Sequence, residues 1–257
     1  MLILVPPSES KRPPPDHGPA LDLAALSFPE LAPLRTRILA ALIETSASAD
    51  AFERLFERPS MVGWIERNTR LRDVPTRSAA ETYVGPLHAG LDLGGLSPAG
   101  TARAATSVVI LSALWGALRS TDQIPADRMR SWSNLVGIGR VEPLWRSVIP
   151  DLLARLAGTR GVIVDLRPPS FQSFGMPKDQ GDRTVAIRVD PYAEGRRIGD
   201  VVAKRLRGEA AHVLLDTDSR PDDPDALADV LGEIWPVSLE PPERRGSAWT
   251  LSLTSVG

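Results

Sequence analysis

Short apolar runs alternate along the chain with stretches in which apolar residues recur at helical spacing. The chain opens MLILVPPSESK, where the apolar start predicts a buried strand that Pro6 and Pro7 end. Further strands are predicted at residues 108–111, 162–166, 184–189, 198–202 and 248–252.

Helical spacing predicts helices at residues 31–43, 51–56, 78–91, 144–156 and 209–215, and one that begins at Ser97-Pro98. Gly85-Pro86 is expected to bend or break the helix at 78–91. The acidic, proline-rich residues 216–229 predict a surface turn that leads into a helix. Because strands are scattered between helices and no internal repeat is visible, the sequence predicts a single α/β domain over residues 1–257, with a mixed β-sheet flanked by helices.

Composition narrows the possible partners. The net charge is -2, which lacks the strong basic excess of proteins that coat nucleic acid, so any anion site must be a local concentration of cations. The absence of cysteine excludes thiolate sites, and the three histidines lack metal-ligand spacing, so neither a metal nor a cofactor is predicted. The chain has no apolar run near the roughly 18 residues that span a bilayer and no basic leader. We therefore expect a cytoplasmic protein without a membrane partner.

The first charged segment follows the opening strand. Ser8, Glu9 and Lys11 lie just beyond its carboxyl end, where open sheets tend to bind ligands. They could form a small catalytic set, with Glu9 as a base, or a cradle for phosphate. The alternative is an ordinary polar turn, and the glycines of a nucleotide-binding P-loop are missing.

The second charged segment is LSALWGALRSTDQIPADRM, residues 111–129. An apolar stretch ends at Gly116 and is followed by Arg119, Asp122, Asp127 and Arg128. Guanidinium groups recognise phosphate and carboxylate through two parallel hydrogen bonds, so this segment is a candidate anion site. A helix end with solvated charges is the alternative.

The third charged segment is AKRLRGEAAHVLLD, residues 203–216. Lys204, Arg205 and Arg207 precede Gly208, which we expect to lie just before a helix. Backbone N–H groups at such a helix start could bind an anion together with the cationic side chains. The alternative is a glycine that serves only a tight turn.

These segments resemble, in order, motifs of the YaaA family of peroxide stress proteins. Members begin with an MLIL or MLVL strand and a PPSEGK-like turn, carry a central LSGLYG-x-LRP-x-D-x-x-x-x-YRL pattern, and have a late AKKARG element. The segment YVGPLHAGLD, residues 83–92, resembles the family's Y-T-G-x-L-Y-x-x-L, and WPVSLEPPERRGSAWTLSL resembles its closing strand pair. The resemblance extends from end to end of the chain.

The resemblance implies a YaaA-like fold and a cytoplasmic role in the peroxide response, in which the protein limits the damage caused by intracellular iron. It also implies DNA binding through a basic cleft with a helix-hairpin-helix-like element, expected at residues 114–122. The implied residues fall into two sets. The catalytic candidates are Ser8, Glu9, Lys11 and Asp122. The anion- or ligand-binding candidates are Arg119, Arg128, Lys204, Arg207, Gly208 and His88.

Three positions depart from the family pattern. Ser120 replaces a usual proline, Asp127 replaces a tyrosine and adds negative charge beside Arg128, and His88 stands where relatives tend to have tyrosine. These changes favour an alternative function: an enzyme of specialised metabolism that acts on a small anionic or nucleobase-like substrate in the same cleft. An open basic groove would favour non-specific DNA binding, whereas a closed pocket would favour the enzyme.

Overall fold

The structure is a computed structural model that describes residues 1–193 and 195–254. Its strands are β1 Leu2–Val5, β2 Arg77–Ser78, β3 Val108–Ser112, β4 Gly116–Leu118, β5 Gln123–Ile124, β6 Asn134–Leu135, β7 Gly139–Arg140, β8 Ile163–Asp165, β9 Thr184–Val189, β10 Tyr192–Ala193, β11 Arg196–Arg197, β12 Val237–Glu240 and β13 Trp249–Leu253.

Its α-helices are α1 Ala32–Ala47, α2 Ala51–Leu55, α3 Val62–Asn68, α4 Ala79–Thr82, α5 Pro86–Leu91, α6 Pro98–Ser107, α7 Glu142–Arg146, α8 Ile149–Ala157, α9 Pro169–Gln172, α10 Asp200–Asp216 and α11 Pro224–Gly232. Short 3-10 turns lie at Pro29–Leu31, Pro59–Met61 and Gly181–Arg183.

A mixed sheet of seven strands, in the order β12-β13-β9-β8-β1-β3-β4, organises the described residues. The inner strands β13, β9, β8, β1 and β3 run parallel, and the outer strands β12 and β4 are antiparallel to their neighbours. β1 is buried along its whole length, which explains why its sequence is an unbroken apolar run. The predicted mixed α/β fold is thus confirmed.

The strand order changes direction at β1. Its neighbours are β3, which follows it in the chain, and β8, which lies much later. The connections after β1 and β8 therefore separate from each other at the carboxyl edge of the sheet, and open α/β sheets form ligand crevices at such points. The fold thus places the turn after Val5 beside the loop after Asp165.

Most predicted strands are present, and one is wrong. The segments at 108–111, 162–166, 184–189 and 248–252 all form sheet strands, and β12 and β13 are the predicted closing pair. Residues 198–202 instead lead into α10, which begins at Asp200. Val201 is 64% exposed, so this apolar pair of valines has no sheet to cover it, and an acidic first turn favours the helix.

Prolines and glycines divide two of the predicted helices. The segment 78–91 breaks at Gly85-Pro86 into α4 and α5, as expected, because proline starts the second helix rather than interrupting the first. The segment 144–156 divides into α7 and α8, with Pro150 in the first turn of α8. Ser97 caps α6 by accepting a hydrogen bond from the Gly100 N–H, which confirms the predicted helix start.

Two further predictions are corrected. Residues 114–122 form the turn of a β3–β4 hairpin and strand β4, so the helix-hairpin-helix element expected there is not confirmed. Gly208 lies inside α10 rather than before a helix, so its backbone N–H belongs to the helix interior. No helix in the described part of the chain is long and apolar enough to cross a membrane.

Candidate functional site

A cleft of about 460 Å³ lies at the carboxyl edge of the sheet, over the ends of β1 and β8. Three parts of the chain form it: the turn after β1, the start of α5 and the first turns of α10. The loop after β8 and Trp132 complete the wall. The lining residues are Pro6, Pro7, Ser8, Glu9, Ser10, Gly85, Pro86, Leu87, His88, Trp132, Pro168, Ser170, Phe171, Val201, Lys204 and Arg207.

The turn after β1 is held tightly against α5. Ser8 is 8% exposed, and a Cβ atom at Gly85 would lie 2.2 Å from the Ser8 Oγ atom. A larger residue at position 85 would therefore force the Ser8 hydroxyl to move, so the small size of glycine lets the turn pack closely on the start of α5. Glu9, in contrast, projects its carboxylate into solvent at the rim, where its side chain is 67% exposed.

Helix α10 supplies the cations of the cleft. Lys204 forms an ion pair of 2.5 Å with Asp200 one helical turn earlier, and the Lys204 side chain is 45% exposed. Arg207 is more deeply placed: burial, and then the charge of Arg188, lower the pKa of its guanidinium, whereas Asp200 opposes the change. A partly desolvated guanidinium gains more from an anion than a solvated one does.

Gly208 serves packing instead of binding. A Cβ atom at this position would lie 2.0 Å from the Leu87 carbonyl oxygen and 2.6 Å from the Leu91 nitrogen. Gly90 makes the reciprocal approach from α5, since its Cβ would lie 2.2 Å from the Arg205 carbonyl oxygen. The two glycines let α5 and α10 cross at close range, which brings their side chains to one cleft.

His88 is a neutral, buried base in the cleft wall. Its Nε2 atom lies 2.9 Å from the Pro6 carbonyl oxygen, so Nε2 carries the proton and donates it, and Nδ1 is an acceptor. Burial lowers the pKa of His88 to about 4, and the hydrogen bond to Pro6 only partly offsets that effect. His88, which stands where relatives tend to have tyrosine, thus lies in the cleft wall and is a hydrogen-bond acceptor at neutral pH.

Aromatic side chains form the remaining wall. Trp132 is 36% exposed, and the Arg130 guanidinium lies 5.4 Å from the centre of its ring. Phe171 lies on the short helix α9 after β8, and a buried ion pair between Asp165 and Arg167, at 2.9 Å, anchors the loop that leads into it. Arg167 also donates to the carbonyl oxygens of Phe171 and Gly175, so the loop has a fixed shape.

Lys11 lies outside this lining. Its Nζ atom donates to the Asp127 carbonyl oxygen at 2.9 Å and lies 3.4 Å from the Asp127 carboxylate, with both side chains almost fully buried. The ammonium group also lies 5.7 Å from the centre of the Tyr83 ring. Asp127, which stands where the family pattern has tyrosine, thus holds Lys11 in an internal ion pair.

Arg119 and Asp122 also lie outside the lining and support the chain locally. Arg119 donates to the carbonyl oxygens of Thr106 and Val108, each at 2.8 Å. One Asp122 oxygen accepts from the Ser27 N–H and hydroxyl, and the other accepts from the Arg119 N–H. These contacts give Arg119 Nη1 and both Asp122 carboxylate oxygens a local structural role.

Arg128 does not line the cleft, but it contacts Glu9, which does. It forms a forked pair with Glu57, with Nε–Oε1 2.7 Å and Nη2–Oε2 3.1 Å, and it donates to the Glu9 carbonyl oxygen at 3.1 Å. Arg130 shares the same Glu57 oxygen at 2.9 Å. Glu57 and Arg130 are additions to the predicted set of site residues. Arg130 lies two residues from Arg128 in the chain, but the position of Glu57 gave no such signal.

A second cavity of about 540 Å³ lies on the far side of His88. Its charged lining residues are Arg12, Glu81 and Asp92, so carboxylates outnumber cations. The cleft has the opposite balance, with Lys204 and Arg207 against Glu9. Of these two cavities, the cleft is thus the better site for an anion, and it joins the first and third predicted segments.

Comparisons with known proteins identify a family and several relatives of this chain. The family described as peroxide stress protein YaaA matches residues 1–235. A UPF0246 protein of Streptomyces coelicolor is 34% identical over 257 residues, which cover 98% of each chain. A UPF0246 protein of Corynebacterium efficiens is 36% identical over 218 residues, covering 83% of this chain and 84% of the relative. One from Salinispora tropica is 30% identical over 242 residues, covering 89% and 86%.

Proposed function

The chain belongs to the peroxide stress protein YaaA family, and we propose that it acts by binding a small anionic ligand in the cleft at the carboxyl end of β1. The ligand's anionic group contacts Lys204 and Arg207, and a planar, apolar part packs against Trp132 and Phe171. This is the site of an enzyme that acts on a small anionic or nucleobase-like molecule. The role in peroxide stress follows from the family.

The observation that carries this proposal is that cationic groups, a carboxylate and a neutral acceptor line the same cleft. Lys204 and Arg207 supply positive charge, Glu9 supplies a carboxylate, and His88 supplies a neutral acceptor within a volume of about 460 Å³. Volumes of roughly 300–1,000 Å³ with few polar groups among apolar walls are typical of small-molecule sites. His88 or Glu9 could accept a proton from such a ligand.

Non-specific DNA binding is the second candidate. It is favoured by exposed arginines, at Arg196 and Arg197 on β11 and at Arg205 on α10. The contacts of Arg119 Nη1 with carbonyl oxygens and of Arg128 with Glu57 weigh against it, because they leave each guanidinium fewer donors for phosphates. Three to five phosphate contacts would give a log–log salt slope of about -3 to -4.

The test compares two cations on the same helix. Lys204→Ala removes a charge that lines the cleft, whereas Arg205→Ala removes one that does not and is paired with Glu209. Calorimetric titration of a panel of nucleobases, nucleoside phosphates and inorganic phosphates identifies a ligand and its Kd. Loss of a charge-assisted hydrogen bond costs about 1.5–3 kcal/mol, so Lys204→Ala should weaken binding at least tenfold at unchanged Tm.

The same two variants separate the candidates. If Arg205→Ala weakens ligand binding as much as Lys204→Ala does, the cleft is not the binding site. If only duplex DNA binds, with a salt slope near that value and equal losses in both variants, the helix surface binds phosphates and the second candidate is correct.

A further inference from the structure

The two positive charges of Arg128 and Arg130, beside the cleft, are only half balanced by a buried carboxylate. Arg128 and Arg130 together carry two positive charges, and both contact the single carboxylate of Glu57, whose side chain is 1% exposed. In residues 1–193 and 195–254, the other carboxylate in contact with them is Glu9. One positive charge is therefore balanced only by a group at the rim.

The Glu9 contacts are the weak ones of this set. Glu9 oxygens lie 3.7 Å from Arg128 and 3.4 Å from Arg130, against 2.7–2.9 Å for the contacts of Glu57 Oε1 with the same arginines. The Glu9 side chain is 67% exposed, and exposed ion pairs contribute little because water and salt screen them. Another anion can therefore displace the Glu9 carboxylate at small cost.

We propose that Arg128 and Arg130 form a second anion subsite of the cleft, and that the Glu9 carboxylate occupies it until a ligand displaces it. Glu9 lines the cleft, and its carboxylate contacts both guanidiniums, which do not themselves line it. The Glu57 carboxylate, together with the Trp132 ring beside Arg130, holds the guanidiniums in place, so the subsite is ordered before binding.

The consequence is a preference for ligands with two separated anionic groups. One group lies at Lys204 and Arg207, and the other replaces the Glu9 carboxylate at Arg128 and Arg130, where it meets the guanidinium donors that Glu57 does not use. This inference rests on the proposed function for the contact with Lys204 and Arg207. It also gives Glu9 a role other than that of a base, namely an internal competitor that excludes weak, singly charged anions.

Inorganic tripolyphosphate is the probe, titrated by calorimetry at physiological salt. Glu9→Gln keeps the size of the side chain and removes the competing charge, so we expect Kd to fall about two- to fivefold. Glu53→Gln makes the same charge change at an exposed position on α2 and should leave Kd unchanged. Arg130→Lys keeps the charge but loses the fork, and it should weaken binding and abolish the gain from Glu9→Gln in the double variant.

Several outcomes would overturn the proposal. These are a Glu9→Gln protein that binds no tighter than Glu53→Gln, a gain that persists in the Arg130→Lys background, or no binding of tripolyphosphate to any variant at millimolar concentration. The result for Lys204→Ala separates the two ideas. If that variant binds normally while Glu9→Gln still tightens binding, the proposed function fails at Lys204 and the second subsite stands.

Discussion

Gly208→Ala should destabilise the protein even though alanine is the better helix former. The substitution places a Cβ atom where α10 crosses α5, 2.0 Å from the Leu87 carbonyl oxygen and 2.6 Å from the Leu91 nitrogen. Both neighbours are backbone atoms, so a change of rotamer cannot relieve the overlap. The helices must separate, and the contacts around the reciprocal Gly90 must also be lost.

Two opposing effects set the magnitude. Alanine in a helix interior is favoured over glycine by about 1 kcal/mol. Overpacking a close contact typically costs about 1–3 kcal/mol, and an overlap with rigid backbone is expected at or above the top of that range. We therefore expect a net loss of about 2 kcal/mol in the free energy of unfolding. For a domain of this length that loss lowers Tm by roughly 4–8 °C.

The control is Gly63→Ala in α3, where a Cβ atom would meet no other atom within 4 Å. It should leave stability unchanged or raise it by up to about 1 kcal/mol. Urea titration followed by circular dichroism measures both variants. A Gly208→Ala protein as stable as Gly63→Ala would refute the close-crossing argument. Because α5 and α10 carry His88 and Lys204, Gly208→Ala should also weaken ligand binding in the folded protein.

Two more predictions concern buried charge. Glu57→Gln leaves Arg128 and Arg130 without their shared buried carboxylate and should lower the free energy of unfolding by about 2–3 kcal/mol in urea titrations, whereas loss below about 0.5 kcal/mol would mean that the pair is neutral for stability. The pKa of His88 is 6.5 in the unfolded chain and about 4 in the folded protein. Its contribution to the free energy of unfolding is therefore complete above pH 6.5 and is lost as the pH falls towards 4. The wild-type protein should lose about 3 kcal/mol relative to His88→Gln across that window, and parallel pH–stability curves would contradict the buried, neutral state of the ring.

Local sequence signals predicted the elements well. Apolar runs such as Val108–Ser112 became buried strands, and Gly85-Pro86 broke its helix, because proline and hydrophobic periodicity act over a few residues. The same signals failed at residues 198–202. There, two adjacent valines suggested a strand, although they lie on an exposed first turn of α10.

The candidate site was predicted in part. The segments that contain Ser8 and Glu9, and Lys204 and Arg207, lie together in one cleft with His88. Lys11, Arg119 and Asp122 lie outside it. Each is engaged by internal partners, which are backbone carbonyl oxygens for Lys11 and Arg119 and the Ser27 N–H and hydroxyl for Asp122. Side-chain type and spacing do not reveal whether a charge already has such a partner.

The sequence by itself determined the family, the alternation of strands and helices, and the charged character of the three segments, because these depend on residue types and their local order. Only the tertiary structure decided which charges remain available to a ligand. Glu57 reaches Arg128 across 71 positions of the chain, and Gly208 meets α5 only where two helices cross. Pairing and close packing depend on distances in space, which the chain sets only when the sheet and its helices are assembled.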